Sequence, residues 1–209
     1  MIKPSLILIG AGGHARSCID VVEQQGQFQI AGLIGMLDEL HTQLLGYAVI
    51  STDSNLPELA KTYQYAIITV GQIQIDEHRI RLYQHAIQLG FQLPIIIAPT
   101  AHVSRHATLG EGSIVMHGAI VNAGVSVGNN CIINTRALIE HDATVVDHCH
   151  ISTGVILNGD VTIGTGSFIG SGSVIKQGIA IGKSCLVGMG LTVRHKLGEN
   201  SRFIEHEKT

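Results

Sequence analysis

The chain has little net charge and no run of basic residues, which limits its possible partners. Among its 209 residues, 13 Lys and Arg stand against 16 Asp and Glu, so the formal net charge is −3 at pH 7. The pI is near 6.4. Proteins that bind nucleic acid usually carry clustered basic residues on one face. We therefore expect no nucleic-acid partner.

Long apolar runs are also missing. No stretch is long enough to span a bilayer, and residues 1–10 are too short and too strand-like for a signal peptide. We therefore expect no membrane insertion and a cytoplasmic location. The chain has only four cysteines, and in a reducing compartment they are expected to be free thiols.

What the chain does contain is a six-residue repeat through its second half. An aliphatic residue recurs at every sixth position from Val103 to Val193, and the residue two positions before it is mostly small. Neither a helix nor a simple alternating strand needs a period of six. Hexapeptide repeats form short parallel strands stacked as a β-solenoid, with the aliphatic side chain inside. Three cysteines lie on the small track and are expected to be packing residues there: Cys131, Cys149 and Cys185.

The first hundred residues lack the repeat and alternate between predicted strands and helices. Such an alternation predicts a small parallel sheet with helices packed on it. Gly26 is expected to end the first helix, and Asp53 or Ser54 to cap a short helix that begins at Leu56. The other predicted segments are strands at 5–9, 29–34 and 65–70, and helices at 16–25 and 76–89.

Glycine-containing loops follow the predicted strands at the carboxyl edge of this sheet, at residues 10–14, Gly35 and Gly71. A glycine turn between a strand and a helix binds anions, because free N–H groups and the helix dipole point outward. The letters also fit the dinucleotide fingerprint, but the second strand ends in Gly35 and not in an acid that would hold a ribose. NAD is therefore not expected. A tight turn without a ligand is the alternative.

Histidines and acids cluster in residues 139–150, at His141, Asp142, His148 and His150. A carboxylate beside an imidazole raises its basicity, so His141 is a candidate general base. The three histidines and two aspartates of this segment could also bind zinc. Against a metal, neighbours in a strand point to opposite faces, so His141 and Asp142 could not both reach one ion. Solvated surface histidines are the third possibility.

The glycine–histidine opening joined to hexads resembles the PglD/NeuD-type sugar acetyltransferases of bacterial surface-glycan pathways. The resemblance covers nearly the whole chain and includes residues 7–14, 67–71, 98–101, 134–135 and 139–142. It implies a Rossmann-like domain over 1–98, a left-handed parallel β-helix over 99–195 and a tail over 196–209. It also implies a homotrimer that binds acetyl-CoA between adjacent chains, with active sites between subunits.

The resemblance also implies roles for single residues. His141 matches the general base, and Asp142 stands where better-studied members have Glu. Contacts to acetyl-CoA are implied for His150, Ser171 and Met189. Contacts to the nucleotide-sugar substrate are implied for Gly12, Gly13, His14, Gly71 and Asn134. No metal ligand is implied.

Two segments depart from the family pattern. The family often has an Asp-Asp pair after its second strand that helps to hold the uridine or sugar part, and here Gly35 and Met36 stand in that place. The usual Gly-x-Pro-Ala ending is replaced by residues 197–200.

The expected reaction is direct, acetyl-CoA-dependent N-acetylation of the 4-amino group of a UDP-linked amino-dideoxysugar, without a cysteine acyl-enzyme. O-acetylation of a sialic-acid-like sugar is the alternative on the same fold. Two other classes remain: a non-catalytic solenoid that serves as scaffold or binding module, and a hexapeptide-type carbonic anhydrase with three metal-binding histidines.

Overall fold

The computed structural model describes residues 2–72 and 77–204. They form two compact units: residues 2–71 and 77–99 make the first, and Gln72 with residues 100–204 makes the second. The predicted helix start at residue 76 and the last tail residues, 205–209, lie outside the described residues. None of the described helices is long and apolar enough to cross a membrane.

The first unit is built on a five-stranded sheet in the order β3-β4-β2-β1-β5. Its strands are β1 (Ser5–Ile9), β2 (Gln29–Gly35), β3 (Gln43–Leu44), β4 (Tyr47–Thr52) and β5 (Tyr65–Ile68), followed by the short β6 (Ile96–Ile97). Its helices are α1 (Gly13–Gln25), α2 (Leu56–Leu59) and α3 (Glu77–Gln88), with 3₁₀ turns at Leu37–Glu39 and Asp53–Asn55. The order β4-β2-β1-β5 is that of a Rossmann half.

Three local predictions for this unit need correction. The sheet is not wholly parallel, because β3 runs antiparallel to β4 at its edge. Helix α1 begins at Gly13, three residues before the predicted start. Neither Asp53 nor Ser54 caps α2, since both belong to the preceding 3₁₀ turn. The end of α1 is as predicted: Gly26 is left-handed, with φ of 69°, and its N–H bonds to the Val22 carbonyl.

One core cluster of the first unit lies where α3 packs on the sheet, and α1 buries an apolar face as well. Strand β1 is buried from Leu6 to Ile9. Ile7 and Ile9 belong to one buried cluster with Leu82 and Ala86 of α3. The apolar periodicity of α3 fits this packing, because one face of a helix repeats every three to four residues.

The second unit is a coil of two-residue parallel strands in three stacks. Residues 18 apart pair, so that Ile120 lies between His102 and Leu138. Stack one holds β7 (His102–Val103), β10 (Ile120–Val121), β13 (Leu138–Ile139), β16 (Ile156–Leu157), β19 (Val174–Ile175) and β22 (Thr192–Val193). Stack two holds β8 (Thr108–Leu109), β11 (Ser126–Val127), β14 (Thr144–Val145), β17 (Thr162–Ile163) and β20 (Ala180–Ile181). Stack three includes β9 (Ile114–Val115), β12 (Ile132–Ile133), β15 (His150–Ile151), β18 (Phe168–Ile169), β21 (Leu186–Val187) and β23 (Arg202–Phe203).

This architecture confirms the predicted left-handed β-helix. The aliphatic track is buried from Val115 to Val193, and only Val103 and Leu109 of the first coil are half-buried. Three short strands make one turn, so each aliphatic side chain lies directly above the one 18 residues earlier. The repeat of six therefore supplies one inward side chain for each stack in every turn.

One column of the small track is polar. The residues in this inner column are Ser113, Cys131, Cys149, Ser167 and Cys185, and all of them are buried. The Cys131 thiol donates to the Val146 carbonyl at 3.2 Å, and the Ser113 hydroxyl donates to Gly128 at 2.8 Å. The four cysteines of the chain are free thiols. The three in this column thus act as hydrogen-bond donors as well as packing residues.

Candidate active-site residues

His141 and Asp142 form a hydrogen-bonded pair in the turn that follows β13. Nδ1 of His141 lies 2.9 Å from Oδ2 of Asp142, and the two side chains are 59% and 69% exposed. Asp142 has a left-handed backbone, with φ of 62°, which Asp tolerates better than most residues. Both residues lie in a turn, so strand alternation does not separate their side chains, contrary to the expectation from the sequence. Among the described residues, no group of three or more His, Cys, Asp or Glu side chains could hold a metal ion.

The pair sets the protonation of the imidazole. A carboxylate can only accept, so Nδ1 carries the proton and Nε2 keeps its lone pair. In the described part of the chain, Nε2 has no hydrogen-bond partner. The hydrogen bond to Asp142 is the main cause that raises the pKa of His141; desolvation lowers this pKa, and the charges of Asp142, Glu140 and Asp160 each raise it by less. An exposed imidazole of this kind can take up a proton from a bound amine or hydroxyl.

Two glycines leave room for the pair. A Cβ built on Gly159 would lie 2.7 Å from Cε1 and Nε2 of His141, so the ring lies over the Gly159 backbone of the next coil. On the other side, a Cβ on Gly124 would collide with Oδ1 of Asp142. Gly159 is not among the residues predicted from the sequence. Gly159 lies 18 residues after His141, which is one full turn of the coil. This spacing could have identified Gly159 only if the number of residues per turn had been known.

A pocket of about 430 Å³ lies in the second unit. The three residues predicted to contact acetyl-CoA all line it: His150, Ser171 and Met189. Ser171 Oγ lies 2.8 Å from Ser152 Oγ, and Met189 is 80% exposed. Ser152, Ser171 and Met189 belong to turns that leave stack three, after β15, β18 and β21. Stacking of successive coils therefore brings them together.

His150 is buried, only 6% exposed, and its ring nitrogens are engaged. Nδ1 lies 2.5 Å from the Gln72 carbonyl, and Nε2 lies 3.0 Å from Nδ2 of Asn134. Oδ1 of Asn134 accepts from the Thr135 N–H, so the amide directs its NH₂ at the ring. His150 is therefore neutral, with the proton on Nδ1. Phe168 meets the ring edge to face at 5.2 Å. This histidine is held in place and is not a free base.

The His141 pair and the pocket lie at different corners of the coil. The turn with His141 connects stack one to stack two, whereas the turns with Ser171 and Met189 leave stack three for stack one. Three stacks give a triangular cross-section. His141 at one corner therefore cannot act on a ligand in the pocket at another corner of the same chain. Asn134, predicted to contact the sugar, also lies in the second unit and bonds to His150.

In the first unit, the glycines converge at the carboxyl edge of the sheet as the sequence predicts. Gly10 bonds through its N–H to the Ile34 carbonyl, and a Cβ on Gly71 would lie 3.1 Å from Cβ of His14. Gly12 and Gly13 have nothing within 4 Å of the space that a Cβ would fill. The first turn of α1 has no acidic residue. The open approach to this helix N-terminus and the positive end of the helix dipole suit an anion.

Comparisons with known proteins identify both units. Residues 5–84 match the family model of the PglD N-terminal domain, and residues 160–194 match the model of the hexapeptide repeat of succinyl-transferase. A comparison with curated protein sequences returns no match.

Solved structures cover nearly the whole chain. A variant of perosamine N-acetyltransferase from Caulobacter crescentus, in complex with CoA and GDP-perosamine, is 31% identical, with a TM-score of 0.90 over 96% of this chain and 93% of that one. The acetyltransferase domain of PglB from Neisseria gonorrhoeae, in complex with acetyl coenzyme A, is 30% identical, with a TM-score of 0.88 over 97% of both chains. WeeI from Acinetobacter baumannii shares the fold at 23% identity, with a TM-score of 0.78 over 95% of both chains.

Proposed function

Because the chain belongs to the PglD/NeuD-type sugar acetyltransferases of the hexapeptide-repeat superfamily, we propose that it acetylates an amino group of a nucleotide-linked sugar. The coarse activity, acetyl-CoA-dependent sugar acetylation, follows from the family. The observation behind the finer proposal is the His141–Asp142 pair, an exposed imidazole with its Nδ1 proton tied to a carboxylate.

In the proposed mechanism, Nε2 of His141 accepts a proton from the sugar amine as its nitrogen attacks the thioester carbon. The N–C bond forms, the C–S bond breaks, and CoA leaves as a thiolate that takes the proton His141 has accepted, which restores the neutral imidazole. Asp142 stabilises the imidazolium that forms, because its carboxylate already accepts the Nδ1 proton. The raised pKa of His141 makes it a stronger base than an isolated imidazole.

We propose that acetyl-CoA lies in the pocket with His150, Ser171 and Met189. The fixed tautomer of His150 supports a positioning role, because its neighbours hold the neutral ring in one orientation. A second proton on this ring would face the NH₂ of Asn134, which is itself a donor. His150 is therefore not assigned as a second base.

We propose that the active enzyme is a homotrimer with sites between chains. The separation of the His141 pair and the pocket at different corners of one coil supports this assembly. A neighbouring chain could bring its own pocket beside His141, which the fold of one chain does not allow. Positioning two substrates between two rigid coils would also supply part of the rate acceleration.

The nucleotide-sugar is proposed to bind the glycine edge of the first unit. Gly12 and Gly13 offer backbone N–H groups at the start of α1 to a diphosphate, and His14 and Gly71 flank them. The acceptor is proposed to be the 4-amino group of an amino-dideoxysugar, with UDP as the first nucleotide to test. The Caulobacter relative was solved with GDP-perosamine, so GDP is the second. Its name as an N-acetyltransferase favours N- over O-acetylation here.

The test is a thiol-release assay with acetyl-CoA against UDP-, GDP- and dTDP-linked 4-amino sugars and sialic-acid-type sugars. We expect turnover of a 4-amino nucleotide-sugar and a loss of about a hundredfold or more in kcat for His141→Ala. A drop of only a few-fold would refute His141 as the base. Turnover on a sialic-type hydroxyl alone would refute the N-acetyl proposal and leave the fold and family unchanged.

A further inference from the structure

The loop after β2 contains a half-buried carboxylate that the proposed chemistry does not use. The 3₁₀ turn Leu37–Glu39 follows β2 directly, and the Glu39 side chain folds back toward the strand end. Its Oε2 accepts a hydrogen bond from the Met36 N–H at 2.8 Å. A Cβ built on Gly35 would lie 2.7 Å from that oxygen. The Glu39 carboxylate therefore fills the space that a side chain at Gly35 would occupy.

This space adjoins the glycine turn. The same Cβ position on Gly35 lies 3.1 Å from Cβ of Ala11, which sits between β1 and α1. Strands β1 and β2 are parallel neighbours, so their carboxyl ends meet at one edge. In dinucleotide-binding sheets, an acid at the end of the second strand accepts hydrogen bonds from the ribose. Gly35 has no side chain to offer, but Glu39 brings a carboxylate to the same place from four residues later.

We propose that Glu39 binds the ribose of the nucleotide and selects ribonucleotides over 2′-deoxyribonucleotides. The Met36 N–H holds Oε2, and Oε1 has no hydrogen bond within the described residues, so it is available to a ribose hydroxyl. A 2′-deoxyribose lacks the hydroxyl that would donate to it. The inference rests on the proposed function in one respect, namely that a nucleotide binds the glycine edge. Beyond the proposed function, the inference specifies that the nucleotide contains ribose and that Glu39 recognises the ribose.

The structure supplies a matched control on the same turn. Asp38 is adjacent, acidic and exposed, and its side chain makes no hydrogen bond in the described part of the chain. Removing Asp38 changes the local charge by the same amount as removing Glu39. It leaves the carboxylate beside Gly35 in place. Any difference between the two variants therefore reports the position of the Glu39 carboxylate and not the net charge of the loop.

The test is calorimetric binding of UDP, GDP and their 2′-deoxy counterparts to the full chain, which needs no turnover. Wild type should bind the better ribonucleotide about tenfold or more tighter than its 2′-deoxy form, as expected for a hydrogen bond to a charged group. In Glu39→Ala this ratio should fall to about one. Glu39→Gln keeps an acceptor for Met36 and loses the charge, so its ratio should be intermediate. Asp38→Asn should keep the wild-type ratio.

Several results would overturn the proposal: equal binding of the ribo and deoxy forms by wild type, no nucleotide binding at all, or an unchanged ratio in both Glu39 variants. Acetyl-CoA affinity and melting temperature should stay at wild-type values in all variants, which checks folding. Ribose selectivity that depends on Glu39, without turnover of any amino sugar, would refute the proposed function but support this inference. Acetylation of an amino sugar without ribose selectivity would support the proposed function but refute this inference.

Discussion

His141 and His150 show how one residue type takes two roles through its surroundings. His141 is exposed and has one carboxylate partner, so its Nε2 can exchange a proton. His150 is buried and bonds to a backbone carbonyl and an amide, so its ring is neutral and oriented. Burial disfavours a charged imidazole, whereas a neighbouring carboxylate favours it. The two histidines are nine positions apart in sequence and differ in environment alone.

The acid limb of the pH–rate profile should depend on Asp142. The base must be neutral, so activity falls as pH drops through the raised pKa of His141. Asp142→Asn removes the carboxylate hydrogen bond that raises the pKa of His141 most. We therefore expect the acid limb to move to lower pH while kcat falls. Asp160→Asn removes only a smaller electrostatic contribution and should move the limb less in the same direction. Profiles of kcat/KM for the three proteins test this. A limb that stays in place in Asp142→Asn would contradict the role of the pair.

Gly159 should be needed for the position of the His141 ring. A methyl group at 159 would lie 2.7 Å from Cε1 and Nε2, so the ring must move. The ring is the exposed end of a side chain, and we expect stability to change little. Displacing a base by about 1 Å can cost up to a hundredfold in rate, so Gly159→Ala should lower kcat at least tenfold. Gly198→Ala is the control, because its Cβ would meet nothing nearer than 4.0 Å. Unchanged turnover in Gly159→Ala would show that the ring has room elsewhere.

At the scale of elements, the inner column shows that a solenoid core need not be apolar throughout. Hydroxyls and thiols occupy equivalent positions in successive coils and donate to carbonyls of the turns that follow. Ser113 Oγ also accepts the N–H of Cys131, which ties two coils together. A buried carbonyl without a donor costs free energy, so these small polar residues do more than fill space.

The column predicts which substitutions of Cys131 are tolerated. Cys131→Ser keeps a donor for the Val146 carbonyl, and its free energy of unfolding should stay within about 1 kcal/mol of wild type. Cys131→Val removes the donor and adds volume, and should cost about 1–3 kcal/mol. Urea unfolding of both variants measures the difference. If Ser proves more destabilising than Val, the column behaves as apolar packing and the hydrogen bonds contribute little.

At the scale of the whole molecule, two inactive variants should complement each other. His141→Ala lacks the base, and Ser171→Trp fills the pocket of its own chain. In mixed trimers with sites between chains, one interface can combine an intact His141 with an intact pocket. Random mixing in equal amounts should restore roughly a quarter of wild-type turnover, because each working site needs two specified neighbours. Co-expression and the thiol-release assay measure it. No recovery from co-assembled trimers would mean that each site lies within one chain.

The sequence by itself determined the two architectures of this chain. Every hexad places an aliphatic side chain inside with a small residue beside it. Sixteen repeats of this pattern predict a single β-solenoid. The glycine turn and the alternating strands likewise indicated the first unit and its ligand edge. These features depend on residues that are close together in the sequence, so they can be predicted without knowing which distant residues meet.

Only the tertiary structure decided which distant residues meet. Gly159 under the His141 ring, and Ser171 beside Met189 in the pocket, depend on the length of one coil, which the period of six does not give. The position of the Glu39 carboxylate beside Gly35 depends on the 3₁₀ turn after β2, which no sequence pattern predicts. From the sequence, His141 and Asp142 are expected to be strand neighbours, yet they lie in a turn in which Asp142 is left-handed. Side-chain direction depends on backbone angles and stacking distance, and both are set by the packed chain.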